Sequence, residues 1–267
     1  MHDLALFNGQ ITSASVLRVD ALSVAALYGK GVFTTVAIYN GKPFLWDKHW
    51  HRLMDNSERL EIGLSQFTED SMRNALHDLI LQNGVNNGRA RITVFDESAS
   101  DLWSTSSGSK ISLLITTADF TAKRENLRLG VSPYRVNTTS PLAGVKSTNY
   151  LERIVALASM RNSGSDEAVQ LNERDEIASA LMANMFWLKE GQLFTPSLAT
   201  GCLPGTTREF VIENLKCGEV EAGITELESA DEIFLTSAGI GVIQVSEFHG
   251  RALLGRRHPI AELIPPG

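Results

Sequence analysis

The first 120 residues alternate between two hydrophobic patterns, one with the period of a strand and one with the period of a helix. Residues 32–39 are β-branched or aromatic at most positions, and Asn-Gly pairs at 8–9 and 40–41 are typical of hairpin turns. Residues 67–84 place their apolar side chains on one helical face, with Thr68 as a cap and Gly84 as a stop. The pattern predicts strands at 5–7, 10–11, 32–39, 43–46, 89–95 and 110–116, and helices at 49–60 and 67–84.

The remainder of the chain shows a second set of strands and helices. A polar segment of mixed charge, 118–126, separates the two sets and is interpreted as a linker. The pattern predicts strands at 127–136, 167–171, 233–235 and 241–245, a hairpin across 185–196, and helices at 148–161 and 206–216. We therefore expect an α+β protein with a smaller N-terminal domain at 1–117 and a larger C-terminal domain at 127–267.

Composition narrows the classes of partner. The chain has 267 residues, of which 43% are hydrophobic, and a net charge of −7. A net-acidic chain without a block of Lys and Arg is a poor candidate for nucleic-acid binding, so a small-molecule substrate is expected. No apolar run approaches the roughly 20 residues of a membrane helix, and no signal peptide is visible, so we expect a cytoplasmic protein without membrane partners. Cys202 and Cys217 are expected to be reduced thiols.

Two local features could carry chemistry, each with an ordinary alternative. Residues 203–208 (Leu-Pro-Gly-Thr-Thr-Arg) open a helix, where free N–H groups and the helix dipole suit a phosphate, although Thr206 could simply cap the helix. Lys146 has small and apolar neighbours, so its amine could be desolvated for imine chemistry, although most lysines are solvated surface charges. His49 and His51 are two residues apart on a predicted helix and point to different sides, so no metal site is expected.

Taken in order, seven short segments resemble the fold-type IV enzymes that use pyridoxal 5′-phosphate (PLP). This family includes branched-chain aminotransferases, D-amino-acid aminotransferases and aminodeoxychorismate lyases. The resemblance covers nearly the whole chain, from about residue 7 to residue 245. It implies a two-domain fold like that of D-amino-acid aminotransferase, with mostly antiparallel sheets, flanking helices, the PLP lysine in the C-terminal domain, and a homodimer. The matching segments are 28–33, 49–53, 146–151, 184–186, 193–196, 203–208 and 230–234.

The resemblance also assigns roles to individual residues. Lys146 matches the catalytic lysine that binds PLP covalently and moves the substrate proton. Arg52 matches the arginine that binds the cofactor phosphate, for which its planar fork is suited. The other positions that the resemblance implies are Thr206, Thr207 and Ser237 around the phosphate, Tyr150 near the phenolic oxygen of PLP, and Tyr28 and Thr34 toward the substrate.

One position departs from the family pattern. In the family, a glutamate five residues before the Asn of Asn-x-Phe pairs with the pyridine nitrogen of PLP, and counting back from Asn184 gives Ser179. A carboxylate keeps that nitrogen protonated, and a protonated ring stabilises negative charge that develops on the substrate. Serine should leave the ring closer to neutral, which weakens transamination more than an elimination that gains its driving force from an aromatic product. Glu176 is three residues away on a strand and should point to the other face.

The residues at the end of the first matching segment also favour a lyase over an aminotransferase. Branched-chain aminotransferases continue Gly-Val-Phe with Glu, whereas Gly31-Val32-Phe33-Thr34-Thr35 is similar to aminodeoxychorismate lyases, although a threonine pair also suits any strand. Lys30 replaces the usual aspartate. The resemblance implies a lyase that releases pyruvate and 4-aminobenzoate from 4-amino-4-deoxychorismate, in folate biosynthesis. The alternatives are a branched-chain or D-amino-acid aminotransferase, and a relative that has lost PLP, because Ser179 replaces the glutamate.

Overall fold

A computed structural model of the chain describes residues 1–99, 110–120 and 126–265. The chain divides into two compact units. The described residues of unit 1 are 1–99, 110–120 and 145–149, and those of unit 2 are 126–144 and 150–265. From the sequence we expect ligands for the substrate carboxylates near 101–108 and 137–144; the first range lies outside the described residues, whereas 137–144 forms local turns within unit 2.

Unit 1 is built on a six-stranded, fully antiparallel sheet. Its strand order is β2-β1-β6-β5-β3-β4. Both Asn-Gly hairpins are confirmed, because Asn8 and Asn40 adopt the positive φ that such turns require. The strands are β1 (Leu4–Phe7), β2 (Gln10–Ser13), β3 (Gly31–Tyr39), β4 (Lys42–Pro43), β5 (Gly88–Asp96) and β6 (Ile111–Asp119).

Three helices accompany this sheet: α1 (Val24–Tyr28), α2 (Trp46–Arg59) and α3 (Glu69–Gln82). The predicted cap of α3 is confirmed, since the Thr68 hydroxyl accepts a hydrogen bond from the Ser71 N–H and the Ser71 hydroxyl accepts one from the Thr68 N–H. The buried residues Met72, Leu76, Leu79 and Ile80 of α3 join the sheet in one hydrophobic core.

Unit 2 contains a larger sheet of nine strands, in which β15 pairs with β14 and the other eight have the order β12-β11-β10-β13-β14-β7-β8-β9. Three pairs are parallel, namely β11 with β12, β14 with β7 and β7 with β8, and the others are antiparallel. The expectation of mostly antiparallel sheets is therefore confirmed. The strands are β7 (Leu127–Val131), β8 (Glu167–Leu171), β9 (Ile177–Ala180), β10 (Asn184–Lys189), β11 (Gln192–Pro196), β12 (Cys217–Val220), β13 (Glu232–Ser237), β14 (Gly241–Phe248) and β15 (Arg251–Ala252).

The helices of unit 2 are α4 (Leu151–Asn162), α5 (Thr206–Asn214) and α6 (Thr225–Glu228). Ala156, Leu157 and Met160 of α4 pack with Ala168 and Leu181 in a small cluster beside the main core of the unit. No helix within the described ranges is long and apolar enough to cross a membrane.

Both cysteines are free thiols, as expected. Burial raises the pKa of Cys217 to about 12, so its thiol stays protonated at neutral pH. Among the described residues, no cluster of His, Cys, Asp and Glu could hold a metal ion.

Candidate functional site

Arg52, the expected phosphate ligand, is buried on α2 and is held by a short chain of hydrogen bonds. Its Nη2 donates to the Thr34 hydroxyl at 2.8 Å, and that hydroxyl lies 2.7 Å from Nδ1 of His49. Thr34 is on β3 and His49 is one turn before Arg52, so a strand and a helix of unit 1 position the guanidinium together. Because the threonine oxygen accepts from Arg52, its single proton is available for His49.

This direction of hydrogen bonding requires a neutral imidazole. Burial lowers the pKa of His49 well below its usual value, and the positive charges of Arg52 and Lys146 lower it further. His49 is only 1% exposed, so no water competes for its Nδ1. The imidazole therefore acts as an acceptor that fixes the Thr34 hydroxyl.

Lys146 lies in the short segment 145–149, which pairs with the start of β3. The Phe33 N–H donates to the Lys146 carbonyl at 2.9 Å, and the Thr148 N–H donates to the Gly31 carbonyl at 2.8 Å. These bonds group Lys146 with unit 1, whereas we expected it in the C-terminal domain. The difference arises because five residues of the chain add to the edge of the first sheet before α4 begins.

The ammonium group of Lys146 lies against an aromatic ring. Its Nζ is 4.4 Å from the centroid of Phe33, whose ring also contacts the guanidinium of Arg91 with a Cζ-to-centroid distance of 3.6 Å. Phe33 is 5% exposed, and Arg91 is exposed on β5. Two cations therefore gather around one ring, which makes this part of unit 1 attractive to anions.

Asn56 connects the arginine helix to the lysine segment. Its Oδ1 accepts from the Lys146 N–H at 3.0 Å, and its Nδ2 donates to the carbonyl of Arg52 one turn earlier on α2. Asn56 is 4% exposed, so both bonds are shielded from water. One buried amide thus links the main chains of the two residues that the sequence assigned to PLP.

Gly31 is required at the point where the lysine segment meets β3. A Cβ atom there would lie 2.8 Å from the Thr148 hydroxyl and 2.9 Å from Cβ of Phe95. The Thr148 hydroxyl also donates to the Gly29 carbonyl at 2.7 Å, so it is not able to move aside freely. Any side chain larger than hydrogen would therefore push residues 146–148 away from the strand.

Thr206 and Thr207 begin α5 and are buried, with 2% and 4% of their surfaces exposed. Gly205, the N-cap residue, provides no side chain to accept from the first N–H groups of the helix. A Cβ at Gly205 would lie 1.9 Å from Oδ1 of Asn184, whose Nδ2 donates to the Leu203 carbonyl at 2.8 Å. The turn is therefore packed closely enough for backbone N–H groups to reach an anion.

Ser237 is the last residue of β13 and is half-buried. Its neighbour Thr236 stands opposite Asn184 across the strand pair, so the end of β13 lies near the start of α5. The Thr236 hydroxyl is fully buried and has no hydrogen-bond partner among the described residues. This end of unit 2 thus gathers hydroxyl groups and helix N–H groups of the kind that bind phosphate.

Ser179 lies on β9 and is 2% exposed, and its hydroxyl has no hydrogen-bond partner among the residues that the structure describes. The carboxyl group of Glu176 is bound by other residues. Hydrogen bonds from Arg174 and Asn172 lower the pKa of its carboxyl group, and the Arg174 guanidinium lies 2.7 Å from it. The prediction that Glu176 does not take the place of the missing glutamate agrees with these contacts.

Three further residues complete the positions expected from sequence. Tyr150 is the N-cap of α4, and the Arg153 guanidinium lies 5.4 Å from the centroid of its ring. Tyr28 ends α1 and is 43% exposed. Lys30, the unexplained departure, lies 3.3 Å from the buried carboxylate of Asp96 on β5, so it serves as the counter-ion of that group.

Sequence reasoning missed His49, Asn56 and Arg91 as parts of this arrangement. Each acts through a partner that is distant in sequence, and the strand and helix pairing that brings them together leaves no local pattern. A signal for His49 was its spacing of one helical turn from Arg52, which places both side chains on one face of α2.

Comparison with known proteins identifies the family. The model of the amino-transferase class IV family matches residues 31–248. An aminodeoxychorismate lyase from Bacillus subtilis is 33% identical over 228 residues, which cover 81% of this chain and 77% of that protein. A branched-chain-amino-acid aminotransferase from Escherichia coli is 26% identical over 280 residues and covers 98% of this chain and 90% of that protein.

Solved structures agree with this grouping. A branched-chain aminotransferase from Thermoproteus uzoniensis, determined with norvaline, has a TM-score of 0.89 and 27% identity, and covers 98% of this chain and 92% of that one. The expected fold class and the resemblance stated from the sequence are confirmed. The chain belongs to the class IV aminotransferase family, whose members depend on PLP.

Proposed function

We propose that this chain is a PLP-dependent lyase that converts 4-amino-4-deoxychorismate to 4-aminobenzoate and pyruvate. The observation that carries the proposal is Ser179, a buried neutral hydroxyl at the position where the family pattern has a glutamate. A neutral group stabilises a protonated ring less than a carboxylate does. Elimination suffers less from this loss than transamination, because it gains free energy from forming an aromatic product. The similarity to a lyase from Bacillus subtilis supports the same choice.

The residues present fit PLP. Arg52 provides a buried guanidinium for the phosphate, and the start of α5, whose N-cap Gly205 has no side chain, provides N–H groups and the hydroxyls of Thr206 and Thr207. The unsatisfied hydroxyl of Ser179 requires a polar partner that the described protein does not supply, and a ring nitrogen would be one. From the family pattern, we propose as PLP ligands Arg52 and Lys146 in unit 1 and, in unit 2, Tyr150, Ser179, Thr206, Thr207 and Ser237.

Lys146 would move the proton in this reaction. PLP, when bound, supplies an electron-withdrawing ring that stabilises negative charge on the substrate. The Lys146 amine takes a proton from the substrate ring, the bond to the enolpyruvyl oxygen breaks, and the proton returns to the departing group, which leaves as pyruvate. The aromatic face of Phe33 lies beside the amine, and a neutral His49 adds no further positive charge near it.

The substrate carries two carboxylates, and Arg91 is the candidate ligand for one of them. Its exposed guanidinium is stacked on Phe33, the same ring that Lys146 contacts, and a planar fork suits a carboxylate. Thr34 was expected to contact the substrate, but its hydroxyl already binds Arg52 and His49, so we assign it to positioning the arginine. Tyr28, exposed at the end of α1, stays a prediction for the substrate.

The test is to incubate the purified protein with PLP and then with 4-amino-4-deoxychorismate. We expect the visible absorbance of lysine-bound PLP, followed by equal amounts of 4-aminobenzoate and pyruvate. Lys146→Ala should abolish both signals, whereas Lys42→Ala, at an exposed lysine on β4, should change neither. Absorbance that persists in Lys146→Ala would overturn the lysine assignment.

The second candidate is an aminotransferase for branched-chain or D-amino acids, favoured by similarity to the aminotransferase from Escherichia coli over nearly the whole chain. A half-reaction separates the two, because an L- or D-amino acid would convert bound PLP to its pyridoxamine form. A third outcome, with no visible absorbance after PLP is added, would indicate a relative that has lost PLP.

A further inference from the structure

Gln170 faces Ser179 from the neighbouring strand. The two residues are direct partners in the antiparallel pairing of β8 and β9, so their side chains lie on the same face of the sheet, with Cβ atoms about 4.5–5.5 Å apart. The register shifts next to this pair, between Gln170 and Leu171. Such irregularities locally redirect side chains and are frequent beside active sites.

The two faces of the sheet at Gln170 and Ser179 pack against different parts of unit 2. Val169, Leu171, Ile177 and Ala180 point into the main core of unit 2. The other face begins with Ala168 and Leu181, which pack under α4. Alternation along the strands places Gln170 and Ser179 on that second face, beyond the hydrophobic cluster.

Each of the two side chains has a buried oxygen that lacks a hydrogen-bond partner within the described part of the chain. Each residue is 2% exposed, and neither Oε1 of Gln170 nor Oγ of Ser179 has a partner among the described residues. Buried polar groups are nearly always satisfied in native proteins, so two such groups at paired positions indicate a polar ligand that both serve. A half-turn of the terminal amide exchanges Oε1 and Nε2, so Gln170 can also offer a donor to Ser179.

The charged groups around Gln170 and Ser179 do not favour a positively charged ligand. Glu167 alternates to the core face of β8, where its carboxyl group accepts from the N–H groups of Ala168 and Leu181. Glu176 is paired with Arg174. On the α4 side, Nη1 of Arg153 donates to the Leu181 carbonyl at 2.7 Å, two residues beyond Ser179. A positive charge here, without a facing carboxylate, favours a neutral heterocyclic nitrogen.

We propose that Gln170 and Ser179 together bind the ring nitrogen of PLP in its unprotonated form. The Ser179 hydroxyl donates to the nitrogen, and the Gln170 amide donates to Oγ of Ser179 and fixes its direction. Gln170 is a positioning residue, since it acts through Ser179. This inference rests on the proposed function and deepens it, because an unprotonated ring is the property that separates elimination from transamination at this site.

The test uses holoenzyme loaded with PLP labelled with 15N in the ring, because the nitrogen chemical shift reports protonation directly. We expect the shift of an unprotonated nitrogen in the natural protein and that of a protonated nitrogen in Ser179→Glu. A protonated nitrogen in the natural protein would overturn the inference. Lysine-bound absorbance is recorded on the same samples, so a failure to bind PLP at all is recognised separately as a failure of the proposed function.

Binding measurements test the role of Gln170. Gln170→Leu should weaken PLP binding about fivefold, and Ser179→Ala by a similar factor. The double variant should lose no more than about fivefold, because the two residues act as one unit. The control is Gln192→Leu, at an exposed glutamine of the same unit, which should leave PLP binding unchanged. Unchanged binding in Gln170→Leu, or fully multiplicative losses in the double variant, would refute the pairing.

A purely structural role for Gln170 has a different signature. If the amide only supported the fold, Gln170→Leu would lower the melting temperature of the PLP-free protein. We expect that temperature to stay the same or rise, since the substitution removes a buried group that lacks a partner. A lowered melting temperature together with unchanged nitrogen protonation and PLP binding would refute the inference.

Discussion

The buried imidazole of His49 illustrates how one residue can control a charged neighbour without touching the ligand. Its Nδ1 orients the Thr34 hydroxyl, and that hydroxyl in turn accepts from Arg52. A protonated His49 would have no lone pair for Thr34 and would add a positive charge beside Arg52 and Lys146. The site therefore depends on this histidine staying neutral.

This dependence predicts a pH effect on stability. Because the folded-state pKa of His49 lies below the unfolded value of about 6.5, the unfolded chain binds a proton that the folded chain does not. The free energy of unfolding should fall as the pH drops below about 6.5, by at most about 1.4 kcal/mol per pH unit from this residue. Urea unfolding between pH 5 and pH 8 measures it.

His49→Asn is the matched variant, because its amide oxygen can accept from Thr34 but does not titrate. We expect the difference in slope between the natural protein and the variant to equal the His49 contribution. Burial raises the pKa of Glu167, which has the opposite effect on stability, and the subtraction removes it. Identical pH profiles for the two proteins would show that His49 is not held neutral.

At the scale of single elements, the segment 145–149 has the most influence on the site. The segment pairs with the start of β3 through main-chain hydrogen bonds. Its position depends on Gly31 and on the buried amide of Asn56. No regular structure is long enough there to hold Lys146 by itself.

Gly31→Ala should therefore displace Lys146 while leaving the rest of unit 1 folded. We expect a loss of about 1–3 kcal/mol in the free energy of unfolding, from the clash with Thr148 and Phe95, and a reduced absorbance of lysine-bound PLP. Hydrogen exchange at the amide of Thr148 should become faster. Gly63→Ala is the control, since nothing lies within 4 Å of its added Cβ atom. Equal behaviour of both variants would contradict this account of the segment.

The elements also show where sequence patterns are informative. Both Asn-Gly hairpins and the capped helix α3 have strong local signals, so they were predicted correctly. Strand β9 has none, because Ile-Ala-Ser-Ala is short, shows no alternation and is buried throughout. The strand predicted at 127–136 ends at Val131, because Pro133 lacks an N–H group to continue the pairing. Helix α2 begins at Trp46, three residues before its predicted start.

At the scale of the whole molecule, α4 exposes an apolar stripe. Leu151, Ile154 and Val155 share one face and are 69%, 49% and 50% exposed. Spacing of three and four residues makes the stripe continuous, and exposed patches of this kind commonly mark protein–protein contacts. We propose that the stripe belongs to the homodimer expected from the family resemblance.

Ile154→Glu should then shift the protein from dimer to monomer in sedimentation experiments. A buried, unpaired carboxylate at an interface is costly, so the dimer should weaken at least tenfold. Gln192→Glu adds the same charge at an exposed position of β11, outside α4, and should leave the dimer intact. A dimer that withstands the first substitution would place the contact elsewhere.

The division of the chain was only partly predictable. The linker at 118–126, which was placed on a polar segment, stays a prediction, and the described residues up to 120 and from 126 belong to different units. The return of residues 145–149 to unit 1 was not predicted, since edge pairing with β3 depends on main-chain groups rather than on residue type. The local pattern left Lys146 open between imine chemistry and an ordinary surface charge, and the resemblance, which selected the first, assigned that residue to the other domain.

The pairing of residues 145–149 with the first sheet affects the design of chimeric proteins. Residues 145–149, which complete the first sheet, follow the predicted linker in the sequence. A fragment that ends at residue 120 would therefore lack the Thr148 N–H that donates to the Gly31 carbonyl and the Lys146 carbonyl that accepts from the Phe33 N–H. If two relatives exchanged their halves at the predicted linker, the first sheet of each chimera would have to pair with residues 145–149 of the other relative. A functional chimera must carry its own 145–149 along with its first 120 residues.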